Sequence, residues 1–273
     1  MEEKDIKREF IYNIPSPELS GRMKRVRVFL PEGYDDSHER YPVLYMHDGQ
    51  NLVGPSPYSG YSWDVLRTSD RLARENIAGK LIIVGIDCDN KRRVMEYSGA
   101  LTNRYIRKFT YKMPKEEIYP EGRAYADFIV NRVKPFVDEN YRTLTDRFST
   151  GVAGSSCGGI ISLYMECWYK EVFGIIGAFS PALEVVGKDL LDLLEKTDIP
   201  DGTKIYHDMG TKEGRFSLFT VLRYSHLIQK VLEKKLKNPE FLMHVIDKSA
   251  THTELFWQSR FPDFLAFSFP KSQ

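Results

Sequence analysis

Residues 154–158 read Gly-Ser-Ser-Cys-Gly, so that Ser156 stands between two glycines with the spacing G-x-S-x-G. Small residues typical of a strand precede this segment at 149–153, and a pattern typical of a helix begins at Gly159. A sharp turn between strand and helix lifts the serine hydroxyl to the edge of a sheet, where it can attack a carbonyl carbon. Glycine suits the flanking positions because a Cβ atom would clash where strand and helix meet. We therefore predict that Ser156 is a nucleophile.

A serine hydroxyl is a weak nucleophile until an imidazole takes its proton, and a carboxylate must orient that imidazole. With a serine turn of this kind, the three residues follow one another in the order serine, acid, histidine. Glu213 lies between glycines just past the predicted strand at 204–209, at the end of a strand where functional side chains are expected. Asp208 is the competing acid, but it lies within the strand pattern. We predict Glu213 as the acid.

The base must be one of six histidines. His252 lies in the loop between the last predicted strand and the last predicted helix, and it follows Glu213 along the chain as the order requires. His207 is the alternative, because it stands beside Asp208 within a strand pattern. We predict His252 as the base and keep His207 as its rival.

Negative charge develops on the carbonyl oxygen when a serine attacks an ester, and two backbone N–H groups are needed to stabilise it. The residue after the nucleophile, Cys157, supplies one of them. The loop after an early strand supplies the other, and residues 45–51 form such a loop with Gly49 at its turn. Cys157 stands one position too late to be the nucleophile itself, so we expect its side chain to pack beneath the helix.

Metal and cofactor chemistry find little support in the sequence. His47 and Asp48 are residue types that bind metals, but no third ligand follows at metal spacing. The three cysteines, Cys88, Cys157 and Cys167, indicate neither a disulfide framework nor a zinc site. We therefore predict no metal and no cofactor.

Composition narrows the range of partners. The 273 residues carry a net charge of +1 with acids and bases interspersed, which gives no electrostatic case for nucleic acid or an anionic membrane. The first residues are charged and lack the apolar region of a signal peptide, and no apolar run is long enough to span a bilayer. We expect a cytoplasmic protein that acts on a small molecule, and the sequence leaves a homo-oligomer open.

The elements that must position these residues alternate between strand and helix. Short apolar runs at 42–46 and 81–86 are typical of parallel strands covered on both faces, and the pattern at 63–77 between them predicts a helix. Residues 88–120 are irregular and rich in tyrosine, which favours a functional loop. The alternation continues without a linker, so we predict one domain over residues 1–273 with a mostly parallel sheet and helices on both faces, in the α/β class.

The chain resembles the putative esterase family of α/β-hydrolases, which includes esterase D-like enzymes, feruloyl esterases, siderophore esterases and mycolyltransferases. The resemblance covers residues 22 to 268 and rests on several local matches. They are residues 45–52, Ser62-Trp63-Asp64, Val84-Gly85-Ile86 with Arg93 and Glu96-Tyr97, residues 135–138 with 141–143, residues 154–159, residues 210–213, and His252 with Trp257.

The family resemblance implies the α/β-hydrolase fold and assigns roles to individual residues. By it Ser156 is the nucleophile, Glu213 the acid and His252 the base, and the backbone N–H groups of Gln50 and Cys157 form the oxyanion hole. Members often have methionine at the position of Cys157 and aspartate at that of Glu213, although mycolyltransferases also use glutamate.

Further residues are expected around this site. Trp63, Tyr97 and Trp257 are predicted to wall the substrate pocket, together with the aromatic loop at 97–119. Ordinary packing is the alternative for Trp63 and for the aromatic residues of that loop. Arg93 and Glu96 are predicted to form a structural ion pair beside it.

The function predicted is that of a cofactor-independent serine carboxylesterase, which hydrolyses acyl esters through an acyl-enzyme. An acyltransferase that uses the same residues with an alcohol acceptor is the first alternative. Esterases of the S-formylglutathione, feruloyl or siderophore type are narrower versions of the same prediction. A binding module that has kept the fold without activity is the alternative from another class, and the complete set of serine, glutamate and histidine speaks against it.

Overall fold

A computed structural model of the chain describes residues 8–100, 113–213 and 218–271. Eight strands of this part form a single sheet. In chain order they are β1 (Glu9–Ser16), β2 (Arg22–Phe29), β3 (Val43–His47), β4 (Ile82–Ile86), β5 (Thr150–Ser155), β6 (Ile175–Phe179), β7 (Lys204–Gly210) and β8 (Leu242–Asp247).

The sheet is mostly parallel, as predicted. Its strand order is β1-β2-β4-β3-β5-β6-β7-β8, and only the β1–β2 and β2–β4 pairs are antiparallel. After β1 and β2 at one edge of the sheet, the chain enters the middle of the sheet at β3, adds β4 on one side of it, and then adds β5 to β8 in order on the other side. Because parallel strands present their carboxyl ends at one edge, the loops after β3 to β8 open on the same side of the sheet.

Helices connect the strands and cover both faces of the sheet. They are α1 (Val65–Arg74), α2 (Arg93–Glu96), α3 (Gly122–Phe128), α4 (Lys134–Asn140), α5 (Cys157–Trp168), α6 (Leu183–Lys196), α7 (Leu218–Lys235) and α8 (Glu254–Ser268). A π-helical turn at Ile129–Val133 joins α3 to α4. None of the helices within the described ranges is both long and apolar enough to cross a bilayer.

Successive side chains of a buried strand point to opposite faces of the sheet, so the hydrophobic core forms two layers, one on each face. In β3, Val43 and Tyr45 face the layer that contains α3 to α7, whereas Leu44 and Met46 face the layer that contains α1 and α8. All five residues of this strand are buried, which is why its sequence reads as a continuous apolar run. Packing on both faces therefore holds the strands in place, and with them the loops that follow the strands.

One strand was not predicted from the sequence. Strand β1 is an edge strand whose side chains are mostly half-buried or exposed, so its pattern is weak. Helix α6 begins at Leu183, shortly after β6 and its turn.

Helix α5 also carries a carboxylic acid in the core. Glu166 is fully buried, and neither of its carboxyl oxygens has a hydrogen-bond partner among the described residues. Burial raises the pKa of Glu166 to about 8. The folded state therefore holds this proton at pH values at which the unfolded chain has released it.

This burial makes a prediction for stability. Between pH 5 and 8 the contribution of Glu166 to the free energy of unfolding should fall as pH rises, by up to about 1.4 kcal/mol per pH unit. Glu166→Gln removes the titration, so its stability relative to the parent should increase across the same range. Urea unfolding followed by tryptophan fluorescence at three pH values measures this, with Glu171→Gln at an exposed neighbouring position as the control. Parallel pH curves for parent and Glu166→Gln would contradict the prediction.

Candidate active site

The serine turn (residues 154–158) connects β5 to α5 under tight steric constraint. Ser156 has φ 59° and ψ −120°, a conformation that costs energy for a residue with a side chain. Its backbone N–H donates to the carbonyl of Phe179 at 2.9 Å, which ties the turn to the end of β6. A Cβ atom on Gly154 would lie 2.9 Å from the ring of His47 and 3.0 Å from the backbone of Gly158. The glycine spacing is therefore explained by close packing against β3.

Glu213 and His252, predicted as acid and base, are in direct contact. His252 Nδ1 lies 2.9 Å from Glu213 Oε2, and both side chains are largely buried. Glu213 Oε1 accepts from the backbone N–H of Gly210 at 2.7 Å and from the hydroxyl of Ser180 at 2.5 Å. Burial alone raises the pKa of this carboxyl, but the hydrogen bonds from His252, Ser180 and Gly210 hold the pKa of Glu213 below its ordinary value.

Gly210 allows this approach. A Cβ atom there would lie 2.7 Å from Glu213 Oε1 and 2.6 Å from the carbonyl oxygen of Ala250. Any larger residue at the end of β7 would push the carboxylate and the loop before His252 apart.

A cavity of about 320 Å³ lies at the carboxyl edge of the sheet. Ser156 and His252 both line it, so the structure brings the predicted nucleophile and base to one space. Its walls come from the loops after β3 and β4, from the serine turn, and from the beginnings of α6 and α8.

Of the two residues predicted for the oxyanion hole, Cys157 lines the cavity and Gln50 does not. Cys157 is the first residue of α5, is buried, and lines the cavity. Gln50 lies in the turn after β3, and the residues lining the cavity are its neighbours Asp48 and Asn51. The side chain of Gln50 is held by Cys88, whose backbone N–H donates to Gln50 Oε1 at 3.1 Å.

Of the three aromatic residues predicted to wall the pocket, Trp257 lines the cavity, where its ring packs edge-on against His252 at 5.0 Å. Trp63 stacks behind Trp257 at 6.0 Å, within the core. Tyr97 is fully buried, and its hydroxyl accepts from the backbone N–H of Asp48 at 3.1 Å. Trp63 and Tyr97 therefore support the lining from behind and do not form it. Residues 101–112 of the predicted aromatic loop lie outside the described residues.

The expected ion pair between Arg93 and Glu96 is not formed. Arg93 instead forms two hydrogen bonds of 2.7 Å with Asp48, and both residues line the cavity. Glu96 faces the other way and pairs with Lys24 at 2.8 Å and with Arg22 at 3.2 Å. Arg93 and Glu96 are three positions apart in one short helix, yet their side chains contact different distant residues. The local sequence does not reveal which residues these are. Although burial raises the pKa of an acid, the Arg93 guanidinium holds the pKa of Asp48 below its ordinary value.

The rival acid and base lie elsewhere. His207 is fully buried and stacks on His244 at 4.9 Å, and burial lowers its pKa to about 3. Asp208 forms a buried ion pair with Arg260 at 2.7 Å and accepts from the hydroxyl of Tyr206 at 2.8 Å. Neither His207 nor Asp208 lines the cavity. Over residues 8–100, 113–213 and 218–271, no cluster of three or more potential ligands could hold a metal ion.

Sequence reasoning missed two groups of residues that organise this site. The first is the pair of Asp48 and Arg93, which lines the cavity. The second is the set of contacts around Ser180 and Arg260. Ser180 follows a buried strand and precedes a proline, which marks a turn but gives no sign of its partners.

Comparison with known proteins identifies the family. Residues 16–268 match the family described as "Putative esterase". Among curated proteins, YbbA from Bacillus subtilis (strain 168) is 22% identical over 254 residues, covering 92% of this chain and 94% of YbbA. The similarity thus extends over nearly the whole of both proteins.

Solved structures share the fold of this chain. An IroE-like serine hydrolase from Shewanella oneidensis has a TM-score of 0.75 at 19% identity, covering 94% of this chain and 79% of that one. The ferulic acid esterase AmCE1/Fae1A from Anaeromyces mucronatus has a TM-score of 0.66 at 19% identity, covering 99% and 94%. At this level of identity the likeness concerns the fold, and the predicted α/β-hydrolase fold is confirmed. The chain belongs to the putative esterase family and is a carboxylic ester hydrolase.

Proposed function

We propose that this protein is a serine carboxylesterase in which Ser156, His252 and Glu213 act together. The observation that carries the proposal is the 2.9 Å contact between His252 Nδ1 and Glu213 Oε2, in a dyad whose imidazole shares a 320 Å³ cavity with Ser156. Because Nδ1 contacts the acid, the role of base is assigned to Nε2, as the roles of such a set require.

The reaction follows from these roles. His252 Nε2 takes the proton of Ser156 as the serine oxygen bonds to the ester carbonyl carbon. The resulting tetrahedral intermediate collapses when its C–O bond to the alcohol breaks, and His252 returns the proton to the leaving alcohol. Water then attacks the acyl-enzyme by the same route, with His252 again as base, and releases the carboxylic acid.

The negative charge of the intermediate is assigned to the backbone N–H groups of Cys157 and Gln50. Cys157 begins α5, and the N-terminal end of a helix favours negative charge. Gln50 is held in the turn after β3 by two contacts with Cys88, so its backbone is fixed beside the cavity-lining Asp48 and Asn51. Preorganised donors of this kind supply a large part of catalysis in acyl transfer.

The substrate is proposed to be a small-molecule ester, and water the acyl acceptor. The named activity of the fungal neighbour makes feruloyl esters a natural part of a substrate panel, beside short aliphatic esters, glutathione thioesters and siderophore esters. Product analysis with added alcohols separates hydrolysis from transfer, since a transferase would form a new ester in place of the free acid.

Replacement of Ser156 tests its role as the nucleophile. Ser156→Ala should reduce hydrolysis of p-nitrophenyl butyrate by at least about 1,000-fold, because the atom that forms the acyl-enzyme is gone. Labelling by a fluorophosphonate probe, located by peptide mass spectrometry, should fall on Ser156 in the parent and be absent in the variant. Ser162→Ala, which removes a buried hydroxyl within α5, serves as the control. Unchanged turnover in Ser156→Ala, or a parent that resists the probe, would defeat the proposal.

Two substitutions distinguish the roles of Glu213 and Asp208. Glu213→Gln should lower kcat by about 100-fold or more with a small change in thermal stability, since it disturbs the orientation of His252. Asp208→Asn should act mainly on stability, lowering it by about 3 kcal/mol, because buried Arg260 loses its close partner and is left with the longer 3.4 Å contact to Asp247. Steady-state kinetics and thermal unfolding of both variants measure this. The reverse pattern would make Asp208 the acid.

A further inference from the structure

Ser180 occupies a strained position at the end of β6. It is fully buried, and its φ of 41° lies in the left-handed region that side chains other than glycine rarely adopt. Its backbone N–H donates to Asp208 Oδ1 at 2.7 Å. Such a conformation persists only where the surroundings hold it, so the contacts of this residue call for an explanation.

The hydroxyl of Ser180 has three good partners, and their chemistry fixes the direction of its proton. Trp257 Nε1 lies 3.1 Å from Ser180 Oγ and Arg260 Nη2 lies 3.0 Å from it. Indole and guanidinium groups only donate, so the hydroxyl oxygen must accept from both. Its single proton is then directed to Glu213 Oε1 at 2.5 Å, because the other acceptor, Asp208 Oδ1, is 3.5 Å away.

Arg260 is held in turn by Asp208. The guanidinium Nε and Nη2 lie 2.7 Å and 3.1 Å from the two carboxylate oxygens, and both side chains are buried. Since Asp208, and at 3.4 Å Asp247, balance its charge, Arg260 can orient Ser180 without pairing with Glu213 directly. A continuous series of contacts therefore runs from Asp208 through Arg260 and Ser180 to Glu213.

We propose that Ser180 is a positioning residue for the reaction, which acts on His252 through Glu213. A carboxylate can rotate about its last bond, and the donors Ser180 and Gly210 both bind Oε1. This arrangement fixes the rotation so that Oε2 faces His252 Nδ1 at 2.9 Å. The proposal rests on the proposed function, since it needs Glu213 to orient the base.

Ser180 does not line the cavity, and this separates its role from substrate binding. Loss of its hydroxyl should leave the Michaelis complex intact and weaken only the proton transfer made by His252. A merely structural role predicts something else: a less stable protein with a smaller fraction of active sites, in which each remaining site turns over at the parent's rate.

The first test is Ser180→Ala, with active sites counted by titration with a fluorophosphonate. We expect kcat per titrated site to fall by about 10-fold or more, with KM within about twofold of the parent. Ser225→Ala is the matched control, because that serine is also fully buried and bonded to a side chain, His244 at 3.1 Å, outside the site. Ser180→Gly removes the same hydroxyl and suits the positive φ, so it gives the same reading if the alanine variant does not fold. An unchanged kcat per titrated site in the folded variant would overturn the proposal.

The second test is a double-mutant cycle with Glu213→Gln. If Ser180 acts through the carboxylate, Ser180→Ala should change kcat by less than about threefold once Glu213 has been replaced. Equal fold losses in both backgrounds would show that Ser180 acts by another route and would refute the inference. Failure of the proposed function is distinguishable, because Ser156→Ala and Glu213→Gln would then both remain active.

Discussion

The close approach of β5, α5 and β3 at the serine turn is the constraint on which this site depends. Glycine at 154 lets the strand pass within contact of His47, and the backbone of Ser156 adopts a conformation that side chains avoid. The energetic cost of that conformation is offset by the packed sheet around it, which places β5 between β3 and β6. The same crowding brings the loop after β3 alongside the beginning of α5, where the oxyanion hole is proposed. A looser turn would separate these groups before any chemistry began.

Three of the carboxylates near the cavity each pair with a different basic side chain. They lie close to the carboxyl ends of β3 and β7: Asp48 binds Arg93, Asp208 binds Arg260, and Glu213 contacts His252. In the first two pairs the carboxylate faces a guanidinium. The third joins a carboxylate to an imidazole, the group to which the proposed reaction assigns the proton transfers.

Local sequence was sufficient for the parts of this structure that depend on periodicity and order along the chain. The alternating elements, the parallel sheet and the contact of Glu213 with His252 follow from hydrophobic runs, from the glycine spacing and from the sequence order of the candidates. The partners of Arg93, the roles of Trp63 and Tyr97 behind the lining, and the contacts of Ser180 could not be predicted. Each depends on which distant side chain a turn faces, and Arg93 could equally have reached Glu96 on its own helix. Strand β1 was missed for a simpler reason, since an exposed edge strand has little apolar patterning.

Helix α8 contributes to the site in three ways. It follows His252 directly, provides Trp257 to the cavity, and carries Arg260, the counter-ion of Asp208. During synthesis the proposed nucleophile therefore precedes the proposed base and the helix beside it by more than ninety residues. The proposed catalytic centre is complete only after residues 252–268 have been translated and have folded onto the sheet.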